Sequence, residues 1–217
     1  MANTILIVGA SRGIGLGLAK EFKSRGWDVI GTERDRSDEL HGLDGVRVET
    51  MDVTEPGTYE SFDTEVDAVI VNAGITGAKH QDACQATSDE VAHVMMTNAF
   101  GPIRAGRTLL PKIREGGALA FMSSLMGSID DSSGGYDLYR TSKTAQNMLA
   151  KGIAEQHAKE RDIAVLSLHP GWVQTDMGGE NAKLTVHESV SGLADVVENS
   201  GGAGYRYVDY KGEDLPF

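Results

Sequence analysis

Thr4-Ile5-Leu6-Ile7-Val8-Gly9-Ala10-Ser11-Arg12-Gly13-Ile14-Gly15 is the stretch from which the fold can be read. A branched apolar run suited to a buried strand feeds directly into a glycine loop, and Leu16, Leu18, Ala19 and Phe22 then recur at helical spacing. Strand, glycine loop and helix thus follow one another without a break. In such a unit Gly9 permits a tight turn, Gly13 lets backbone approach a pyrophosphate, and Gly15 allows close packing of the helix, whose first free amides attract the anion. The spacing Gly-x-x-x-Gly-x-Gly differs from the general dinucleotide pattern Gly-x-Gly-x-x-Gly.

Beyond this unit, apolar runs at Asp28–Thr32, Val46–Glu49, Ala68–Val71, Ala118–Met122 and Ile163–His169 alternate with longer helical patterns. Alternation of this kind builds a parallel sheet. The runs are nearly continuous rather than alternately polar, so helices are expected on both faces of a doubly wound, mainly parallel α/β sheet of Rossmann type. Gly204–Val208, after a glycine-rich turn, is the candidate for a seventh strand. Ser88 is the expected cap of a helix running toward Leu110, with Pro102 distorting it locally. A second helix is expected from near Tyr136 to about His157. With 217 residues and no internal repeat or linker, one domain spanning 1–217 is expected.

Composition narrows the function. A formal charge of −12 with no local basic tract argues against nucleic acid or an anionic membrane surface as partner. Ile5–Ala10 is too short to cross a bilayer and lacks the flanks of a leader peptide. Cys84 is the only cysteine, which excludes an internal disulfide and a cysteine-built metal cluster and suits a cytoplasmic location. The six histidines show no ligand spacing, so no metal is expected. A small-molecule partner is left as the expectation.

Tyr139 and Lys143 stand four residues apart, on one helical face. A phenol titrates near pH 10, and a fixed neighbouring cation favours its ionised form, so the pair can build a proton donor that works nearer neutrality. Two common residues at a common spacing can equally serve packing, and other landmarks must decide. They arrive in order along the chain: the glycine loop, Asp52-Val53, Asn72-Ala73-Gly74, Asn98, Ser123-Ser124, Tyr139 with Lys143, and Pro170-Gly171 with Val173 and Thr175.

Taken together these residues resemble the short-chain dehydrogenase/reductase family, over nearly the whole chain. The resemblance implies that Tyr139 is the acid in carbonyl reduction and the base in alcohol oxidation. It implies that Lys143 binds the nicotinamide ribose and tunes the phenol, that Ser124 donates to the substrate oxygen, and that Asn98 organises a water path to Lys143. Ser124 is preferred to Ser123 because Ser124-Leu125-Met126-Gly127 keeps the family's Ser-x-x-Gly register. Tyr136 is set aside because Arg140, not a lysine, lies four residues on. Cofactor contacts are implied for Gly9, Ser11, Arg12, Gly13, Ile14, Gly15, Glu33, Arg34, Asp52, Val53, Asn72, Ala73, Gly74, Pro170, Gly171, Val173 and Thr175. The inserted run Asp130–Gly135, the short segment after Pro170–Met177 and the terminal Asp209–Glu213 are similar to the small carbonyl reductase and C-factor-like branch.

The expected activity is hydride transfer between NAD(P)(H) and a small carbonyl or alcohol substrate. A dinucleotide-binding regulatory protein with little turnover is the alternative. Glu33 ends the second strand where an acid would read free ribose hydroxyls and repel a 2′-phosphate, which tips the balance to NAD. Arg12 and Arg34 argue for NADP. Met126, Trp172 and Met177 are candidates for an apolar entrance. The resemblance also implies a homodimer or homotetramer.

Overall fold

A computed structural model describes residues 2–217. The expected runs form strands β1 (Thr4–Val8), β2 (Asp28–Glu33), β3 (Val46–Thr50), β4 (Val66–Val71), β5 (Ile113–Met122), β6 (Ala164–His169) and β7 (Gly204–Asp209). They pair in parallel as one sheet in the order β3-β2-β1-β4-β5-β6-β7. Strand order therefore reverses direction between β1 and β4. Two connections leave in opposite senses there, and a crevice opens beyond the carboxyl ends of these strands, where ligands of such sheets bind.

Both faces of the sheet are covered, which explains the continuous apolar strands. Side chains alternate along β1: Ile5 and Ile7 pack with Leu18 and Phe22 of α1 (Gly13–Ser24) and Val190 and Leu193 of α6 (Val186–Glu198). Leu6 and Val8 face the other layer, with Ala105 and Leu109 of α4 (Gly101–Leu109) and Ala150 and Ile153 of α5 (Asp137–Ile153). A short α2 (Asp38–His41) follows β2 and contributes Leu40 to the first layer.

Three local features depart from the sequence expectations. The cap of α3 (Ser88–Met95) is Thr87, not Ser88: the Thr87 hydroxyl accepts from Glu90 N while the Glu90 carboxylate accepts from Thr87 N. The helix from Ser88 toward Leu110 is not continuous, because Met96–Phe100 widens into a π turn between α3 and α4. Gly101 makes this possible, since a Cβ there would lie 2.5 Å from Met96 O and 2.7 Å from Val53 O. Finally, β5 starts at Ile113, ahead of the expected Ala118, and its exposed residues Arg114–Glu115 broke the apolar signal.

Candidate active site

The glycine loop occupies the crevice between β1 and β4. Gly9 takes φ +88° and abuts Ala73, where a Cβ would lie 2.9 Å from Ala73 N. Asn72 Nδ2 donates to Gly9 O at 2.8 Å, which ties the end of β4 to the loop. At Gly15 a Cβ would fall 2.0 Å from Gly9 O, so this glycine serves the close approach of α1 to the strand. Gly13 has φ +52° and faces Thr175 of the loop after β6. Ser11 O accepts from Ser37 Oγ, and Ile14 packs at the margin of the first core layer. No side chain caps α1 at Arg12 and no acid lies in its first turn, so the amides and the positive dipole end suit an anion.

Neighbouring loops converge on the same edge. Asp52 holds its own turn through Thr54, with Val53 buried behind it. Pro170 O accepts from Ser189 Oγ of α6, fixing the start of the loop through Gly171 and Val173 to Thr175. In that loop Trp172 and Met177 are about half exposed. Arg12 reaches across to Asp176 at 3.1 Å, with both side chains largely in solvent.

Glu33 does not face outward as the sequence suggested. Its Oε2 accepts from Ser37 N at 2.6 Å, its Oε1 lies 2.8 Å from His41 Nε2, and the residue is only 7% exposed. Burial favours its neutral form, but the hydrogen bonds from His41 and Ser37 outweigh that and hold the carboxyl below the usual range. A capped, ionised Glu33 is thus engaged by its own loop. Arg34 projects into solvent beside Asp35.

Asn98, Ser124, Tyr139 and Lys143 come together at the other end of the crevice. Asn98 sits in the π turn and is fully buried: Oδ1 accepts from Ile75 N at 2.8 Å, and Nδ2 donates to Ile75 O at 2.7 Å and Ser142 Oγ at 3.0 Å. A Cβ at Gly74 would lie 3.4 Å from Asn98 Oδ1 and 3.5 Å from Lys143 Nζ, so a bare glycine separates these two groups. Ser124 is extended and its hydroxyl accepts from Met126 N, beside the Tyr139 phenol whose ionised form it favours. Ser123, by contrast, is turned away and donates to Asn147 Oδ1 at 2.6 Å.

Lys143 lies 5.9 Å from the Tyr139 ring centre. It is almost wholly buried and donates to Met122 O at 2.8 Å. Burial depresses its pKa to about 7. Burial also raises the pKa of Tyr139, against the opposing pull of Ser124. The expected lowering of the phenol is therefore not seen in the chain alone, where desolvation outweighs the pull of Ser124 and keeps the phenol protonated.

Several participating residues carried no sequence signal. Ser142 links Asn98 to α5, also donating to Tyr139 O at 2.7 Å. Tyr207, from β7, donates to Ser124 O from behind. Gln81 meets the first turn of α5. Tyr136 precedes that turn in a left-handed conformation and is exposed. Among the described residues, no three His, Cys, Asp or Glu side chains converge as metal ligands, and no helix is long and apolar enough to cross a membrane.

A parallel sheet with a glycine loop at its switch point, and an Asn, Ser, Tyr and Lys set beside it, defines a nucleotide-dependent oxidoreductase of Rossmann type. The chain belongs to the short-chain dehydrogenase/reductase family: the family model described as short chain dehydrogenase matches residues 3–184. It is 38% identical over 162 residues to C-signal of Myxococcus xanthus, covering 70% of this chain and 93% of that protein. It is 31% identical over 211 residues to 1-hydroxy-2-glutathionyl-2-methyl-3-butene dehydrogenase of Rhodococcus sp. strain AD45, covering 91% of each. A carbonyl reductase from Pseudomonas aeruginosa PAO1, solved in complex with NADP, superposes with a TM-score of 0.91 at 38% identity over the whole of both chains. The chain is accordingly an NAD(P)-dependent oxidoreductase.

Proposed function

We propose that the chain is an NADPH-dependent reductase of small aldehydes or ketones in which Tyr139 gives the proton. The observation that carries this reading is the partly buried Tyr139 phenol, kept protonated by desolvation, with Ser124 and Lys143 beside it. A bound nicotinamide supplies the hydride. Ser124 and Tyr139 hold the carbonyl oxygen between two hydroxyl donors, which stabilise the negative charge that grows there, and Tyr139 then passes its proton to that oxygen. Lys143, poised near neutrality, is suited to return the proton, and Asn98 keeps Ile75 fixed along the route. Tyr139→Phe should retain cofactor binding and lose about 100- to 10,000-fold in turnover. Absorbance at the reduced-nicotinamide band with an aldehyde and ketone panel measures this, and wild-type turnover in the variant would remove Tyr139 from the role.

The preference for NADPH replaces the leaning to NAD that Glu33 suggested. Its support is the engagement of the Glu33 carboxylate by Ser37 and His41, while Arg12 and Arg34 have only solvent-screened partners to exchange for a 2′-phosphate. Titration with NADPH and NADH should give the tighter binding to NADPH, and Arg34→Ala should narrow the gap; tighter NADH binding by the wild type would reverse the assignment. Similarity to C-signal supports a second reading, a regulatory dinucleotide-binding protein. Tight cofactor binding without turnover on a broad panel would favour it.

A further inference from the structure

The first turn of α5, which carries Tyr139, has no cap of its own. It is entered through Tyr136 at φ 54° and ψ 41°, a sparsely populated region for a residue with a side chain, and Tyr136 makes no side-chain bond to the helix amides. The missing partners come from the loop between β4 and α3, more than fifty residues earlier in the chain. Gln81 O accepts from Leu138 N, and Gln81 Oε1 accepts from Tyr139 N, each at 3.2 Å. The helix answers in kind: the Asp137 carboxylate accepts from Ala83 N at 3.0 Å. This is a capping box made between two distant segments, with the acceptor at Gln81 and the returning acid at Asp137.

The same loop is anchored at its other end to the reacting groups. Gln81 Nε2 donates to Thr76 O at 2.8 Å, and the adjacent Ile75 is held through both its N and O by Asn98. Asn98 in turn reaches α5 through Ser142. Gln81 therefore closes a ring that runs from Asn98 through Ile75 and Thr76 to Tyr139 and back along α5 to Ser142. From this ring we infer that Gln81 is a positioning residue for the reduction, setting the axial and rotational placement of Tyr139 against Ser124. The inference rests on the proposed role of Tyr139 as proton donor.

Gln81→Leu removes the acceptor at Tyr139 N without shortening the side chain greatly. Displacement of a reacting group by about 1 Å is enough to cost on the order of 100-fold. The expected result is a fall in kcat of about 10- to 100-fold, with NADPH affinity and substrate KM within about twofold of wild type. In the alcohol-oxidising direction, the rising limb of the pH profile should move to higher pH, because a displaced phenol moves away from Ser124, which favours its ionised form. A merely structural loop residue would not move that limb. Gln81→Glu keeps an acceptor at Tyr139 N, where a carboxylate is favoured at a helix start, but loses the donor to Thr76 O; it should recover only part of kcat, falling between Gln81→Leu and wild type. If Gln81→Leu fails to fold, Gln81→Asn decides, being too short to reach Tyr139 N, and it should show the same loss. Wild-type kcat and pH profile in Gln81→Leu or Gln81→Asn overturns the inference. Tyr139→Phe separates the two readings: if that variant is crippled while the Gln81 variants are normal, only the positioning role fails. If Tyr139→Phe itself is normal, both fail.

Discussion

At the phosphate end of the crevice the groups offered to a ligand are main-chain amides, and their placement follows from glycines that are neighbours in sequence. At the reacting end they are side chains drawn from the π turn, the end of β5 and α5, and held by residues from β7 and a remote loop. The first end tolerates almost any side chain that points outward and no side chain at all where backbone meets backbone. The second buries polar groups, each of which must find a partner or leave a desolvated donor or acceptor behind. One end is therefore fixed by sterics, and the other by hydrogen bonds and desolvation.

The largest expected effect tests the steric end. Gly15→Ala puts a methyl 2.0 Å from Gly9 O, with Asn72 Nδ2 2.7 Å away and Ala10 Cα at 3.0 Å. Two of these contacts belong to the strand-to-helix junction and the third to the end of β4, so α1 must move as a body. Overpacking against backbone exceeds the usual core penalty, and we expect a loss of about 4 kcal/mol in urea unfolding together with loss of NADPH binding. Gly152→Ala, where a Cβ meets nothing within 4 Å, is the control and should be neutral or slightly stabilising. A Gly15→Ala variant that binds NADPH normally would show that the two ends are not built differently.

Lys143→Met tests the desolvated end, and here the sign reverses. With a pKa near 7 folded and an ordinary value near 10.5 unfolded, the unfolded chain binds more protons between these limits. Stability from this group therefore rises as pH rises from about 7 to 10, and at neutral pH the buried ammonium costs roughly 4 kcal/mol relative to an unperturbed lysine. Methionine removes that cost but leaves Met122 O without its donor. A net gain near 2 kcal/mol is expected at pH 7, shrinking toward pH 9.5, with turnover abolished. Unfolding of the cofactor-free proteins at three pH values measures the difference. A variant less stable than wild type at pH 7 would mean that the ammonium is better compensated than its burial implies.

The same contrast explains what could be read from the sequence. Gly9, Gly13 and Gly15 are informative because the reason for each lies within a few residues of it, and the strand cores at Ile5–Val8 and Val69–Val71 are legible because both faces are buried. Ser124, Tyr139 and Lys143 were found by their spacing and order, which is a likeness and not a derivation. The helix α6 went unread although Thr185-Val186-His187-Glu188 spells its capping box, whose bonds the fold makes. The end of β2 at Glu33 is legible, but the partners of its carboxylate are not, because nothing local says that Ser37 N and His41 will claim it. Gln81 was invisible for a stronger reason: a glutamine acquires meaning only when a helix lacking its own cap arrives from 58 residues away.

Tyr207→Phe is the mildest probe of the hydrogen-bonded end. Its hydroxyl donates to Ser124 O, and burial raises its pKa strongly, with a hydrogen bond to Asn147 opposing. The ring is retained in phenylalanine and continues to pack beside Phe217. What changes is one buried carbonyl that loses its donor, on the residue whose hydroxyl is proposed to meet the substrate. We expect about 1 kcal/mol of destabilisation and a several-fold fall in kcat, with NADPH affinity unchanged because the glycine loop does not depend on β7. If NADPH affinity falls with kcat instead, then the two ends share a mechanical path through β6, where Ser123 N donates to Leu168 O and Leu168 pairs in register with Val208. The separation of backbone-fixed and side-chain-fixed halves would then hold for their chemistry but not for their mechanics.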